Sequence, residues 1–235
     1  MPNDDHSPTT PVVLVHGWGG SFTTTWQRSG FTALLADAGR TVIGVDLLGH
    51  GSAPKPHEPE AYADMTERVI GALPDEPVDA VGFSLGAMTL LRAAIIHPGM
   101  FRRLVLGGIG RNVFERDDEA TQRIIDAVEG CGHADDNRAR LFSQYASQAD
   151  NDPIALAAVL RCRSTAAMTE ELLATVTCPA LVAVGDQDFV LPADRLVAAL
   201  PNATLKILRR TDHFATPESF DFIDAALEFI DAVPS

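Results

Sequence analysis

The chain has 235 residues, 46% of them hydrophobic and 21% charged, with Lys and Arg numbering 18 against 32 for Asp and Glu. That length and balance describe one sizeable globular domain, or one domain carrying an insertion, and exclude a disordered or fibrous chain. The net charge of −14 argues against nucleic acid and against an anionic membrane surface as partners, and reads as a solvated acidic exterior.

Residues 1–10 are polar, acidic and proline-containing, and read as a disordered leader with no basic-then-apolar signal. Residues 12–15 (VVLV) form a continuous apolar run of the kind found in strands buried on both faces, and they lead into His16-Gly17-Trp18-Gly19-Gly20. A helix is predicted over 26–38, stopping at Gly39. A strand over 41–45 ends at Asp46 and opens the loop LLGHGSAP at 47–54. A helix over 60–73 precedes a strand at 78–81, the pentapeptide Gly82-Phe83-Ser84-Leu85-Gly86, and a helix from Leu85 to Ile96 closed by His97-Pro98-Gly99. Residues 104–106 give a further strand.

From Arg111 the texture changes. Charges are dense, no strand-like run appears, and three helices are predicted near 118–129, 137–148 and 153–163. The third begins well, with Asp152 as cap and Pro153 at the first helical position. Alternation then resumes with a strand over 180–184, a helix over 192–200, a strand over 204–208 and a helix over 217–233. Six apolar strands alternating with helices imply an α/β domain, a mostly parallel sheet of about six strands with helices on both faces. Its core spans 11–110 and 171–235, and residues 111–170 form an inserted helical lid.

Cys131, Cys162 and Cys178 are odd in number and widely spaced, with no C-x-x-C pair, so neither a disulfide framework nor a metal site is expected. No apolar stretch approaches the ~18 residues of a spanning helix. A reduced, cytoplasmic setting with no membrane partner is the expectation.

Ligands of parallel sheets bind beyond the carboxyl ends of the strands, and the suggestive residues all lie just after a strand: His16-Gly17-Trp18, Ser84, Asp186 and Asp188, and His213. Serine is a poor nucleophile without an adjacent base. A histidine can take its proton, and a carboxylate can fix that histidine's tautomer. The candidates run in the order Ser84, then Asp186 or Asp188, then His213. G-x-S-x-G between a strand and a helix can form a tight turn that exposes the serine hydroxyl at a helix N-terminus.

Together HGWGG at 16–20, DLLGHGSAP at 46–54, GFSLG at 82–86, PALVAVGDQDFVLP at 179–192 and DHF at 212–214 resemble the α/β-hydrolase superfamily over nearly the whole chain. The resemblance implies a triad of Ser84, His213 and Asp188, the acid standing three residues after Gly185, with Asp186 as fallback. It also implies oxyanion donors at the backbone N–H of Trp18 and of Leu85, and no cofactor or metal. The antiparallel pair that commonly opens this fold has no counterpart before residue 12, and Asp212 stands before the histidine where glycine is common.

The expected activity is hydrolysis of carboxylic esters of small to medium apolar substrates through an acyl-enzyme on Ser84. A carbon–carbon bond hydrolase, lactonase, thioesterase or cofactor-free perhydrolase on the same triad is the alternative, and a receptor-like binding protein with little turnover is the alternative from another class. Aspartate replaces the serine in the dehalogenases and epoxide hydrolases that this fold resembles, which sets those activities aside. His16 and His50 suggest a metal, but with no H-x-x-x-H or clustered carboxylates, hydrogen bonding within their turns is preferred. Trp18 and Phe83 are expected near the pocket mouth or packed beside it, and Met168 either against substrate or in the core. No pattern encodes the oligomeric state.

Overall fold

The computed structural model describes residues 10–132, 135–162 and 168–234. The leader expected at 1–10, apart from Thr10, and the Arg163 end of the third insertion helix lie outside the described residues. Strands β1 (Val12–Val15), β2 (Val42–Val45), β3 (Val78–Phe83), β4 (Phe101–Gly107), β5 (Ala180–Gly185) and β6 (Ala203–Leu208) form one sheet. Its order is β2-β1-β3-β4-β5-β6 and every neighbouring pair is parallel. The chain passes from β1 outward to β2, then crosses back to β3 on the other side of β1. That reversal is a topological switch point, and the crevice beyond the carboxyl ends of β1 and β3 is where such sheets bind ligands.

Alternate side chains of the central strands bury into opposite layers, which explains why their sequences are apolar throughout. Helix α1 (Phe31–Asp37) packs Phe31 and Leu35 on the face that carries Val12, Leu14, Val81 and Val105. Helices α2 (Glu67–Ile70) and α3 (Leu85–Ile96) bury Val69, Leu90 and Leu91 against Val13, Ala80, Leu104 and Val182 on the other. Between β4 and β5 the chain forms α4 (Asp118–Val128), α5 (Asn137–Ala146) and α6 (Pro153–Arg161), the inserted helices. Helices α7 (Glu170–Leu173), α8 (Asp194–Ala199) and α9 (Phe220–Phe229) follow, and α9 places Phe222 in the α1 layer.

Asp79 is the exception in β3. It is fully buried near the amino end of the strand, accepting from Arg40 and, at 2.9 Å, from the Nε–H of Arg102. A buried carboxylate is tolerable only with such partners.

Three predicted helices are shorter or split. The span 26–38 becomes a π-turn at Phe22–Gln27, capped by Ser21, and then α1, because Gly30 turns the backbone left-handed (φ 81°) between them. In 60–73, Asp64 draws the N–H and hydroxyl of Thr66 to its carboxylate (2.8 and 2.6 Å), a local bond that competes with the helix and breaks it into a 3-10 turn and α2. In 217–233, Ser219 is extended and separates a turn at Thr216–Glu218 from α9.

Candidate active site

Ser84 sits between β3 and α3 with φ 51° and ψ −112°, a left-handed conformation that costs a non-glycine residue about 1–3 kcal/mol. The flanking glycines make that turn possible. A Cβ on Gly86 would lie 2.3 Å from the carbonyl oxygen of Val15, and one on Gly82 would lie 2.8 Å from the backbone of Ala87. Glycine at both positions lets α3 close onto β1 and β3, and the Ser84 N–H is fixed on the Gly107 carbonyl at 2.8 Å.

Three loops from three strands meet at the serine hydroxyl. Ser84 Oγ lies 3.0 Å from His213 Nε2, and His213 Nδ1 lies 2.9 and 3.0 Å from the two carboxylate oxygens of Asp188. Asp188 Oδ1 also accepts the N–H of Val190 at 3.0 Å, which fixes its orientation. Both Asp188 and His213 are 5% exposed. The imidazole lies between two aromatic rings, Phe189 at 4.5 Å and Phe83 at 5.0 Å between centroids, and meets Phe214 edge-on. With Nδ1–H donated to the carboxylate, Nε2 is the free base facing Ser84.

Asp186 does something else. Its carboxylate accepts the N–H groups of Arg210 and Thr211 at 3.0 and 3.2 Å, bracing the loop that carries His213. Asp212 is exposed and accepts the N–H of Ala215 at 2.9 Å, so it faces away from the imidazole. Among the described residues, no acceptor takes the N–H of Trp18 or of Leu85. Leu85 is the first residue of α3, whose positive dipole end lies at this spot.

His16 and His50 are both completely buried in the turns that follow β1 and β2. His16 donates from Nδ1 to the Gly17 carbonyl (2.8 Å) and accepts the Leu47 N–H at Nε2 (3.1 Å). His50 donates from Nδ1 to the Leu48 carbonyl at 2.9 Å, and its ring centroid is 5.1 Å from that of His16. Burial holds His16 below its usual pKa. Burial first, then the neighbouring His16, pushes His50 down to about 3. Both are thus neutral hydrogen-bonding pieces of their turns.

The profile of the alpha/beta hydrolase family matches residues 12–229. The chain belongs to that family. An uncharacterized protein of Mycobacterium tuberculosis is 29% identical over 260 residues, covering 94% of this chain and 73% of its own length. A pimeloyl-[acyl-carrier protein] methyl ester esterase of Methylococcus capsulatus is 43% identical over 101 residues, which is 40% of this chain and 35% of that protein. Among solved structures, the 2-hydroxy-6-oxo-6-phenylhexa-2,4-dienoate hydrolase of a Rhodococcus species superposes with a TM-score of 0.69 at 21% identity, over 95% of this chain and 91% of that one. That likeness shows the shared fold.

In this hydrolase the insertion reaches the site through aromatic side chains. Phe142 of α5 lies against Trp18, Phe189 and Phe214, and Tyr145 against Phe214. The Arg138 guanidinium sits 5.1 Å from the Phe189 ring centroid. The space left beside the site, bounded by Trp18, Phe83, Tyr145 and Phe214, is a cavity of about 20 Å³. A larger cavity of about 240 Å³, lined by His97, Phe101, Arg102 and Cys178, lies at the amino ends of β4 and β5, at the opposite end of the sheet from Ser84. Met168 is buried with the α3 layer of the core. Sequence reasoning passed over Phe189 and Phe214, although each directly follows a candidate site residue, and over Phe142 and Tyr145, whose positions depend on how the insertion folds.

Proposed function

We propose that this hydrolase cleaves carboxylic esters of small to medium apolar substrates through an acyl-enzyme on Ser84. The observation that carries the reading is the unbroken hydrogen-bond chain from Ser84 Oγ through the His213 ring to Asp188, delivered by loops after β3, β5 and β6. His213 Nε2 takes the hydroxyl proton as Ser84 Oγ attacks the ester carbonyl carbon. The N–H groups of Trp18 and Leu85 receive the developing oxyanion, where preorganised donors are worth most. The tetrahedral species collapses, the C–O bond to the alcohol breaks, and the imidazolium gives its proton to the departing alkoxide. Water then loses a proton to His213 and attacks the acyl carbon, and the free acid leaves as Ser84 recovers its proton. Asp188 holds the imidazole tautomer and stabilises its cationic form throughout. Every group this needs is a side chain or backbone N–H of the chain itself.

The aromatic side chains around the His213 ring support an apolar substrate, and the small space between Trp18, Phe83, Tyr145 and Phe214, which Thr24, Thr25 and Glu218 also line, leaves little room for a long acyl chain. The partial match to a methyl ester esterase supports ester chemistry over the other bond types open to such a triad. The test is turnover of p-nitrophenyl esters from acetate to octanoate by the wild type and by Ser84→Ala. We expect the shorter esters to be preferred, and the substitution to lower kcat by at least about a thousandfold. Activity that survives in Ser84→Ala removes Ser84 as nucleophile. Binding of esters without turnover by the wild type would instead indicate a receptor-like protein.

A further inference from the structure

The turn that carries the Trp18 N–H is buried, but its glycine content gives it little conformational stiffness of its own. Three of the five residues 16–20 are glycine, and Gly19 adopts φ 72°, so the backbone there has unusual freedom. Within the turn, two bonds hold the Gly17 carbonyl, and with it the peptide plane of the Trp18 N–H: one from the Gly20 N–H at 3.1 Å and one from His16 Nδ1 at 2.8 Å. The remaining restraint on its outer side comes from the insertion, about 130 residues further along the chain. The Trp18 indole N–H donates to the Leu156 carbonyl in α6 at 3.0 Å. The Asn151 side-chain amide donates to the Gly19 carbonyl at 2.8 Å and to the Tyr145 carbonyl at 2.9 Å.

An amide nitrogen carries two hydrogens, and Asn151 spends both. One fixes the peptide plane that follows Gly19. The other fixes the last turn of α5, whose Tyr145 ring stands so close to Gly19 that a Cβ added there would lie 3.3 Å from Tyr145 Cδ1. The backbone before Asn151 is itself bent to present it, with Asp150 at φ 76° and the Asn151 N–H bonded to the Gln148 carbonyl. Asp152, next in sequence, caps α6 and pairs with His57 in the loop that follows β2, at 2.8 Å. The loop between α5 and α6 is therefore anchored on both sides of Asn151.

We propose that Asn151 is a positioning residue for acyl transfer, holding the Gly19 carbonyl so that the Trp18 N–H stays aimed at the oxyanion. The insertion is then part of the catalytic apparatus as well as a cover. This rests on the Ser84 acyl-enzyme reading above. Its consequence is specific. Loss of the amide leaves the Ser84–His213–Asp188 chain intact but lets the turn drift, which weakens the transition state and spares substrate binding.

The experiment compares Asn151→Leu, which keeps the shape without donors, and Asn151→Gln, which keeps the donors, on p-nitrophenyl butyrate. An alkylboronic acid, whose tetrahedral adduct on Ser84 places an oxygen at the oxyanion position, serves as a second probe. In Asn151→Leu, kcat should fall about 10- to 100-fold with KM within about twofold. Affinity for the boronic acid should fall by the same factor as kcat, and Asn151→Gln should recover most of both. Asn151→Ser, too short to span the two carbonyls, is measured alongside in case the leucine variant does not fold. A kcat within about twofold of wild type, a loss confined to KM, or equal losses in the leucine and glutamine variants would overturn the proposal. Labelling of wild-type Ser84 by a fluorophosphonate separates the two levels of the argument. An unlabelled, inactive wild type sinks the hydrolase reading and this proposal with it, whereas a labelled, active wild type makes the Asn151 variants decisive.

Discussion

At Gly86 the contact is with backbone, which cannot swing aside as a flexible side chain can. Its would-be Cβ meets the carbonyl oxygens of both Val15 and His16 within 2.5 Å. Gly86→Ala should therefore cost about 2–3 kcal/mol by overpacking, despite alanine's better helix propensity. It should also displace Ser84, so ester turnover should fall even at temperatures where the variant is folded. Chemical denaturation and kcat on one preparation would check both, and a variant as stable and active as wild type would refute the argument. At this scale the sequence was legible wherever a residue's place in a loop depends on its own strand. Ser84, His213 and the pair Asp186 and Asp188 each follow a strand by a few residues. The structure separates that pair because Asp186 faces back onto the N–H groups of Arg210 and Thr211 while Asp188 faces His213. Asn151 was illegible. Its partners, Gly19 and Tyr145, are set by how the insertion docks, and no local pattern in a polar loop announces that.

All six strands were located from their apolar runs, and the runs at 12–15, 78–81 and 180–184 lie in strands that are buried at every position. Strand β4 begins three residues earlier than its run, at Phe101, because Arg102 and Arg103 interrupt the apolar pattern there. Helices fared less well outside α3. The predicted spans at 26–38 and 60–73 have apolar residues at helical spacing, but Gly30 and Asp64 redirect the backbone within them. The helices of the insertion were placed within a few residues; Asp152 marked the start of the third in the sequence, and the structure adds Asp117 and Asp136 as side-chain caps of the other two. What those helices touch was not readable. Helix α5 brings Phe142 and Tyr145 to the site from one face, three residues apart, as adjacent turns of a helix require. Tyr145→Ala should enlarge the space beside Phe83 and Phe214 and move the preferred p-nitrophenyl ester from short acyl chains toward hexanoate and octanoate. We expect the octanoate-to-acetate ratio of kcat/KM to rise about tenfold, in line with about 1–3 kcal/mol for apolar contacts in a pocket. An unchanged ratio would show that the acyl group lies elsewhere.

Across the molecule, the two ends of the sheet do different work. The amino end holds the Arg40–Asp79–Arg102 network, and the carboxyl end holds the buried His16 and His50 beneath the loops of the site. Both histidines have folded-state pKa values below the ordinary 6.5. Below that pH the unfolded chain binds protons that the folded chain refuses. The contribution of these histidines is therefore complete above about pH 6.5 and declines as pH falls, for His50 down to about 3 with a slope of at most about 1.4 kcal/mol per pH unit; His16 acts in the same direction. The thermal midpoint should start to drop below pH 6.5, before most carboxylates titrate. His50→Asn should make the decline between pH 6 and 5 shallower. An equally steep decline in that variant would mean that other groups govern acid unfolding.

The insertion joins strands that are already neighbours. β4 and β5 are hydrogen-bonded in register from Leu104 with Ala180 to Gly107 with Ala183, a link that about a dozen residues could make. Residues 108–179 greatly exceed that need, and although Ile109, Val113, Met168, Leu173 and Val176 at their two ends pack in the core, pairing of the two strands does not require the length of the helical insertion between them. A foreign segment spliced between the same two strands would bring its own substrate range with it. If the role proposed for Asn151 holds, such a segment would also have to offer a carbonyl to the Trp18 indole and a donor to the Gly19 carbonyl, and a graft without them would turn over more slowly on an intact triad.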